Sequence, residues 1–221
     1  VEGSIPSGLT KLEIVTKPEL ASAEEAREFM KQLITVLSYL EIFDINNSII
    51  KADANVSIKE SSFVKHEIKN ITGFKEIERA LLHEILRQKA EVAEGKKLEQ
   101  ETRAWNSEEG ITFLLRKKET EEDYGYILDS DLVKTEITKE MLSRIKKGMT
   151  ELAHDKVKKF VLKHKIKRED AEIIAAEKEL AEMFEKVAEE INPVLAAKWL
   201  RRELVRVLNY SKKAIHEIEM D

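Results

Sequence analysis

The residues of this chain with the types and spacing to do chemistry are carboxylates, lysines, arginines and an asparagine placed on strands. "IIKADANVSIKE" (49–60) and "FVKHEIKN" (63–70) alternate with period two and predict an antiparallel pair. On the first, Lys51, Asp53 and Asn55 share one face, a row suited to orient a phosphate and a metal ion together, with a solvated strand face as the plain alternative. Glu67 and Lys69 share a face of the second strand, and pairing would bring them beside Asp53. Glu13 stands between Leu12 and Ile14 in the short apolar strand "LEIVT", so it points away from them; if that face lines a cleft, its carboxylate is a hard-cation ligand. "QETRAWNSEEGITFLLRKKE" (100–119) alternates around a turn at Asn106 to Gly110 and predicts a hairpin. Arg103 and Arg116 face each other across it at a plausible register. Two guanidiniums are costly to hold together unless an anion bridges them, so a phosphate or carboxylate ligand would explain the charged strands. Trp105 and Phe113 are expected to pack in the core.

Other chemistries find little support. Cysteine is absent and the five histidines, His66, His83, His154, His164 and His216, are scattered, which disfavours a structural zinc site or a Cys/His nucleophile. None of the seven glycines falls in the spacing of a phosphate-cradling loop. The net charge of -5 argues against holding nucleic acid by bulk electrostatics, so any RNA contact would be local. No apolar run reaches the ~18 residues of a membrane span, and the absence of cysteine fits a reducing compartment; a soluble, cytoplasmic protein without a membrane partner is expected.

These strands need elements to position them. Ser22 with Glu25 forms a capping box ahead of Phe29, Leu33, Val36, Leu37 and Leu40, which recur at helical spacing. Between Gly73 and Gly95, Ile77, Leu81, Ile85 and Ala90 define the face of a second helix. Residues 1–133 therefore read as an α+β unit, helices laid on an antiparallel sheet. Past Leu132 only helical periodicity remains: 138–148, 154–164, 168–190 with a break near Ala175, and 193–209, the last opened by Asn192 as N-cap and Pro193 at the first helical position. Residues 134–221 are expected to form an all-α unit. Its basic run from Lys156 to Arg168 and its patch of Arg201, Arg202 and Arg206 read first as solvated bundle faces, with RNA phosphate contact as the alternative.

The strings "LEIVTKPEL", "KADANVSIK", "HEIKNITGFKEIERALLHEILRQ", "QETRAWNSEEGITFLLRKKE" and "EEDYGYILDSDL", in this order, resemble the B subunit of the aspartyl/glutamyl-tRNA(Asn/Gln) amidotransferases, over roughly residues 8 to 210. The form "ETEEDYGYI" looks most like the archaeal branch. The resemblance implies a partial-length B subunit with a cradle-like α+β domain followed by the start of a helical domain. It implies use of ATP and Mg to activate the side-chain carboxylate of mischarged Asp-tRNA(Asn) or Glu-tRNA(Gln), with ammonia from the amidase (A) subunit and a small C subunit completing the complex. By motif position it implies metal-binding roles for Glu13 and Asp53, catalytic roles for Asp53, Glu67 and Lys69, and nucleotide contacts for Lys51, Asn55, Arg103 and Arg116. The competing expectation is a non-enzymatic paralogue that only docks tRNA or the amidase subunit.

Overall fold

The computed structural model describes residues 13–42, 50–117, 136–211, 213 and 215. Helix α1 (Ala23–Tyr39) starts where the capping pattern predicts: Ser22 Oγ accepts from the Glu25 backbone N–H at 3.1 Å, and Glu25 Oε2 accepts from that of Ala21 at 2.7 Å. Strand β1 (Lys51–Val56) is followed by a 3-10 turn (Lys59–Ser61) and β2 (His66–Thr72). Gly73, at φ +84°, takes the chain from β2 into α2 (Phe74–Ala93) through a left-handed conformation that a side chain would strain. Strands β3 (Glu101–Asn106) and β4 (Ile111–Lys117) form the expected hairpin; the Asn106 side chain accepts from the backbone N–H groups of Glu108 and Glu109 and so closes the turn.

The strand order is β1-β2-β3-β4. Both outer pairs are antiparallel, but β2 and β3 run parallel, so the sheet is mixed. The cause is α2: a helix of this length between two strands returns the chain to the end at which it started, and the next strand enters in the same direction as the last. The α+β class is as expected, with a parallel seam at its centre. The predicted strand at 12–16 is not formed over its described part: residues 13–16 have no regular structure, and Ile14 and Val15 are exposed. A five-residue run needs a neighbour to take its backbone hydrogen bonds, and no described strand pairs with it.

One core joins Ala23, Ala26 and Met30 of α1 and Ile77, Ala80 and Leu81 of α2 to Ala54, Ile68, Ile71 and Trp105 of the sheet. Both helices thus belong to one side of the sheet. The helical half comprises α3 (Lys139–Gly148), α4 (Ala153–His164), α5 (Arg168–Ile174), α6 (Lys178–Glu190), α7 (Pro193–Trp199), a π-helical turn (Leu200–Leu204) and α8 (Val205–Ser211). The break near Ala175 separates α5 from α6 as the periodicity predicted. A second core is built around Phe160, Ile174, Leu180, Phe184 and Leu200. The expected division near residue 134 lies outside the described residues. Tyr39, 1% exposed, joins the halves: its hydroxyl donates to the Ala175 carbonyl at 2.9 Å, and its own carbonyl accepts from Thr150 Oγ1 at 3.0 Å. Burial, reinforced by nearby carboxylates such as Glu185, pushes the Tyr39 phenol up.

Asn192 caps α7 by accepting from the N–H groups of Val194 and Leu195, at 2.9 and 3.2 Å. Asn192→Ala is expected to cost about 1 kcal/mol, read as a lower urea midpoint at unchanged slope.

Candidate functional site

Alternation along β1 puts Ala52, Ala54 and Val56 toward the helices and leaves Lys51, Asp53 and Asn55 exposed on the opposite face. β2 carries a bulge opposite the step from Ala52 to Ala54, where Asn70 adopts φ +65°. Asn tolerates this region better than most residues. On the exposed face Lys69 Nζ donates to Asp53 Oδ2 at 2.9 Å and lies 3.4 Å from Glu67 Oε1. Glu67 also accepts from Thr102 Oγ1 of β3, at 3.1 Å. Thr102 is in turn the register partner of Arg116 on β4. A polar row therefore crosses all four strands, Asp53, Lys69, Glu67, Thr102 and Arg116, exposed at Asp53 and buried at Thr102, which is 1% exposed. The hydrogen bond that Lys69 donates to Asp53, with the charges of Asp53 and Glu67, raises the Lys69 pKa against the opposing effect of burial, so the ammonium stays charged.

Among the described residues no three His, Asp or Glu side chains converge into a metal-holding group. The row instead offers two carboxylates beside lysine and arginine. That donor set fits magnesium, which is commonly held by one or two carboxylates with phosphate and water oxygens as its other ligands.

The helix-facing side holds a second polar assembly. Glu84 of α2 is fully buried, at 0% exposure. Its Oε1 lies 2.9 Å from His66 Nδ1 and accepts from Arg87 Nη2 at 2.6 Å and Gln88 Nε2 at 3.1 Å. Its Oε2 accepts from Thr112 Oγ1 at 2.7 Å and Arg87 Nε at 3.0 Å, with Arg103 Nε at 3.5 Å. Burial alone would raise the Glu84 carboxyl, but the donors from His66, Arg87 and Thr112 outweigh it and hold the group well below the usual carboxylate range.

This geometry corrects the expected arginine pair. Arg103 is opposite Leu114, not Arg116, because an extra residue in β4 shifts the register between Thr102 and Arg103. Arg116 consequently joins the exposed row, while Arg103 turns to the helix side and donates to Thr112 Oγ1, the Thr112 carbonyl and Glu101 Oε2. Lys51, Asp53, Asn55, Glu67, Lys69 and Arg116 share the open face; Arg103 does not, and Glu13 lies in the irregular, exposed segment ahead of α1. Phe113 is 45% exposed as the register partner of Ala104, whereas Trp105 is buried and donates to Glu76. The basic run of the helical half is partly neutralised, with Lys156 and Lys159 both paired to Glu185 at 2.6 Å. Arg201 is paired to Asp170.

The sequence reading missed Glu84, Arg87, Gln88 and Thr112. A signal for two of them was present: 77, 81, 84 and 88 continue the buried face of α2 at helical spacing, and two of those positions are polar. Ile85 is only half-buried and Ala90 exposed, so the expected apolar face was rotated from the real one.

Residues 7–143 match the family model described as the GatB/GatE catalytic domain. The chain belongs to this family. It is 41% identical, over 96% of its length, to the aspartyl/glutamyl-tRNA(Asn/Gln) amidotransferase B subunit of Methanothermobacter thermautotrophicus, covering 46% of that protein. It is 38% identical to the subunits of the same name from Saccharolobus solfataricus and Thermodesulfovibrio yellowstonii, covering 47% and 46% of them. The chain thus spans just under half the length of these relatives. Among the described residues no helix is long and apolar enough to cross a membrane.

Proposed function

We infer that the open face of this sheet is the nucleotide and metal site of a tRNA-dependent amidotransferase subunit, a ligase component. The substrate class is a mischarged aminoacyl-tRNA, Asp-tRNA(Asn) or Glu-tRNA(Gln), whose side-chain carboxylate is activated with ATP for amidation. The amidase (A) subunit would supply the ammonia and a small C subunit would complete the assembly. The observation that carries this reading is the row from Asp53 to Arg116 on the face away from the helices, in a chain similar to amidotransferase B subunits.

Asp53 and Glu67 would hold magnesium, which when bound neutralises charge on the transferring phosphoryl group. Lys51, Lys69 and Arg116 are the cations placed to hold phosphate oxygens, with Asn55 as a neutral hydrogen-bonding partner; Thr102, 1% exposed, instead holds Glu67. The Lys69 ammonium, 2.9 Å from Asp53 and 3.4 Å from Glu67, marks the place between the two carboxylates that a cation fills, and with magnesium bound there it would be free to turn to a phosphate oxygen. Phosphoryl transfer asks for positioning and charge complementarity more than covalent help from the protein, and a rigid sheet face provides fixed positions. Arg103 stays out of this set because its donors are engaged on the other side.

Calorimetry with magnesium and ATP tests the reading. Wild-type chain is expected to bind, and Asp53→Ala to weaken binding at least roughly tenfold. Absence of binding to the wild-type chain would replace the enzymatic reading with that of a docking module for tRNA or the amidase subunit. Glu13→Ala belongs in the same series: unchanged magnesium affinity would remove Glu13 as a ligand.

A further inference from the structure

We propose that Glu84, on the far side of the sheet, is a positioning residue for the open face: its buried carboxylate fixes β2, β3 and β4 against one another and so sets the spacing of Glu67 and Thr102. The proposal rests on the functional reading above only for its nucleotide measurement.

Three adjacent strands meet this one group. His66 reaches Oε1 from β2, while Arg103 and Thr112 reach Oε2 from β3 and β4. Arg103 Nε also donates to Thr112 Oγ1, so the β3 and β4 contacts brace each other. Successive strand residues point to opposite faces. The neighbour of His66 is Glu67 and the neighbour of Arg103 is Thr102, and these two form the 3.1 Å hydrogen bond at the centre of the open row. The parallel register pairs them directly, Glu67 with Thr102 and Ile68 with Arg103. A one-residue slip of β3 along β2 would turn Arg103 away from Glu84 and Thr102 away from Glu67 together.

The same slip would turn Trp105 out of the core, so the apolar pattern already opposes it; hydrogen bonds to Glu84 add a demand on distance and angle that apolar contacts, being non-directional, do not make. A buried carboxylate with its donors is often no more stabilising than a well-packed apolar group, so stability alone does not account for it. Its hydrogen-bond contacts with His66 of β2 and Thr112 of β4, and its ion pair with Arg103 of β3, do.

The test compares the wild-type chain with Glu84→Gln, Thr112→Val, Thr112→Ser and Leu81→Val. Leu81 lies in the same helix–sheet interface but belongs to its apolar part. The readouts are the Thr102 methyl and Glu67 carboxyl carbon resonances, the melting temperature, and calorimetric affinity for magnesium with ATP. In Glu84→Gln and Thr112→Val both resonances are expected to move, and affinity to fall at least roughly tenfold. Thr112→Ser, which keeps the hydroxyl, should restore both. Leu81→Val should lower the melting temperature and leave both resonances in place. The proposal is overturned if Leu81→Val shifts them as far as Thr112→Val does, or if Thr112→Val leaves them unmoved. If the wild-type chain binds no magnesium-ATP, the nucleotide reading fails while the resonances still decide the role of Glu84. If Glu84→Gln does not fold, the Thr112 series decides it.

Discussion

Glu84→Leu is expected to lower the unfolding free energy of the sheet-containing half by about 3–5 kcal/mol, because it strands the positive groups gathered around a fully buried carboxylate. Arg87 and Arg103 stay in place with side chains only 16% and 11% exposed, and Thr112 loses the acceptor of its hydroxyl. The effect is also pH-dependent, with a definite sign. The folded carboxyl lies well below its ordinary value of 4.5, so the unfolded chain takes up this proton first as acid is added. The contribution of the group is complete above the unfolded value and is lost as pH falls below 4.5 toward the folded value. Urea unfolding at pH 6 and pH 3.5 should therefore show a smaller gap between wild type and Glu84→Gln at the lower pH. A gap of constant size would show that the carboxylate charge is not what the site uses.

The second large effect is expected in the helical half. Phe184 is fully buried and meets Phe160 edge to face, with ring centroids 4.6 Å apart. His164 completes the aromatic cluster, its ring 5.5 Å from that of Phe184. Phe184→Ala removes the ring at the centre of that core and leaves a cavity among residues on several helices, at an expected cost of about 3–5 kcal/mol. Because the two halves have separate cores, far-ultraviolet circular dichroism should lose helix at lower denaturant, while Trp105, buried in the other core, should keep its fluorescence transition. Trp199, the chain's other tryptophan, is 59% exposed and would be replaced by Phe so that the emission reports Trp105 alone. Coincident shifts of both signals would mean that Tyr39 and its hydrogen bonds to Ala175 and Thr150 make the halves unfold as one unit.

The parts of this fold that were legible in the sequence are those written in local chemistry. Ser22 and Glu25, Gly73, and Asn192 with Pro193 mark helix ends because the groups that satisfy a helix terminus are sequence neighbours of it. The open face was legible for a similar reason, since period-two alternation fixes which side Lys51, Asp53, Asn55, Glu67 and Lys69 take. What was lost is non-local. The parallel seam depends on how α2 returns the chain, and no pattern within β2 or β3 encodes it. The exchange of Arg103 and Arg116 between faces follows from one extra residue in β4; the three consecutive apolar residues Phe113, Leu114 and Leu115 were its trace, a break in the alternation that a strict period-two reading passes over. Glu84 and Gln88 lie on a buried helix face that apolar periodicity alone does not mark.

The parallel seam also sets an order of assembly. β3 and β4 are joined by a four-residue turn, and β1 and β2 by a short connection with its own 3-10 turn, so each pair can zip up within microseconds of chain motion. Joining β2 to β3 requires closing the whole stretch that contains α2, and the entropy of that closure is lost before any seam hydrogen bond repays it. The hydrogen bond between Glu67 and Thr102 spans that seam. The candidate site is thus among the last features of the sheet to exist during folding, and its formation reports that two independently formed hairpins have docked.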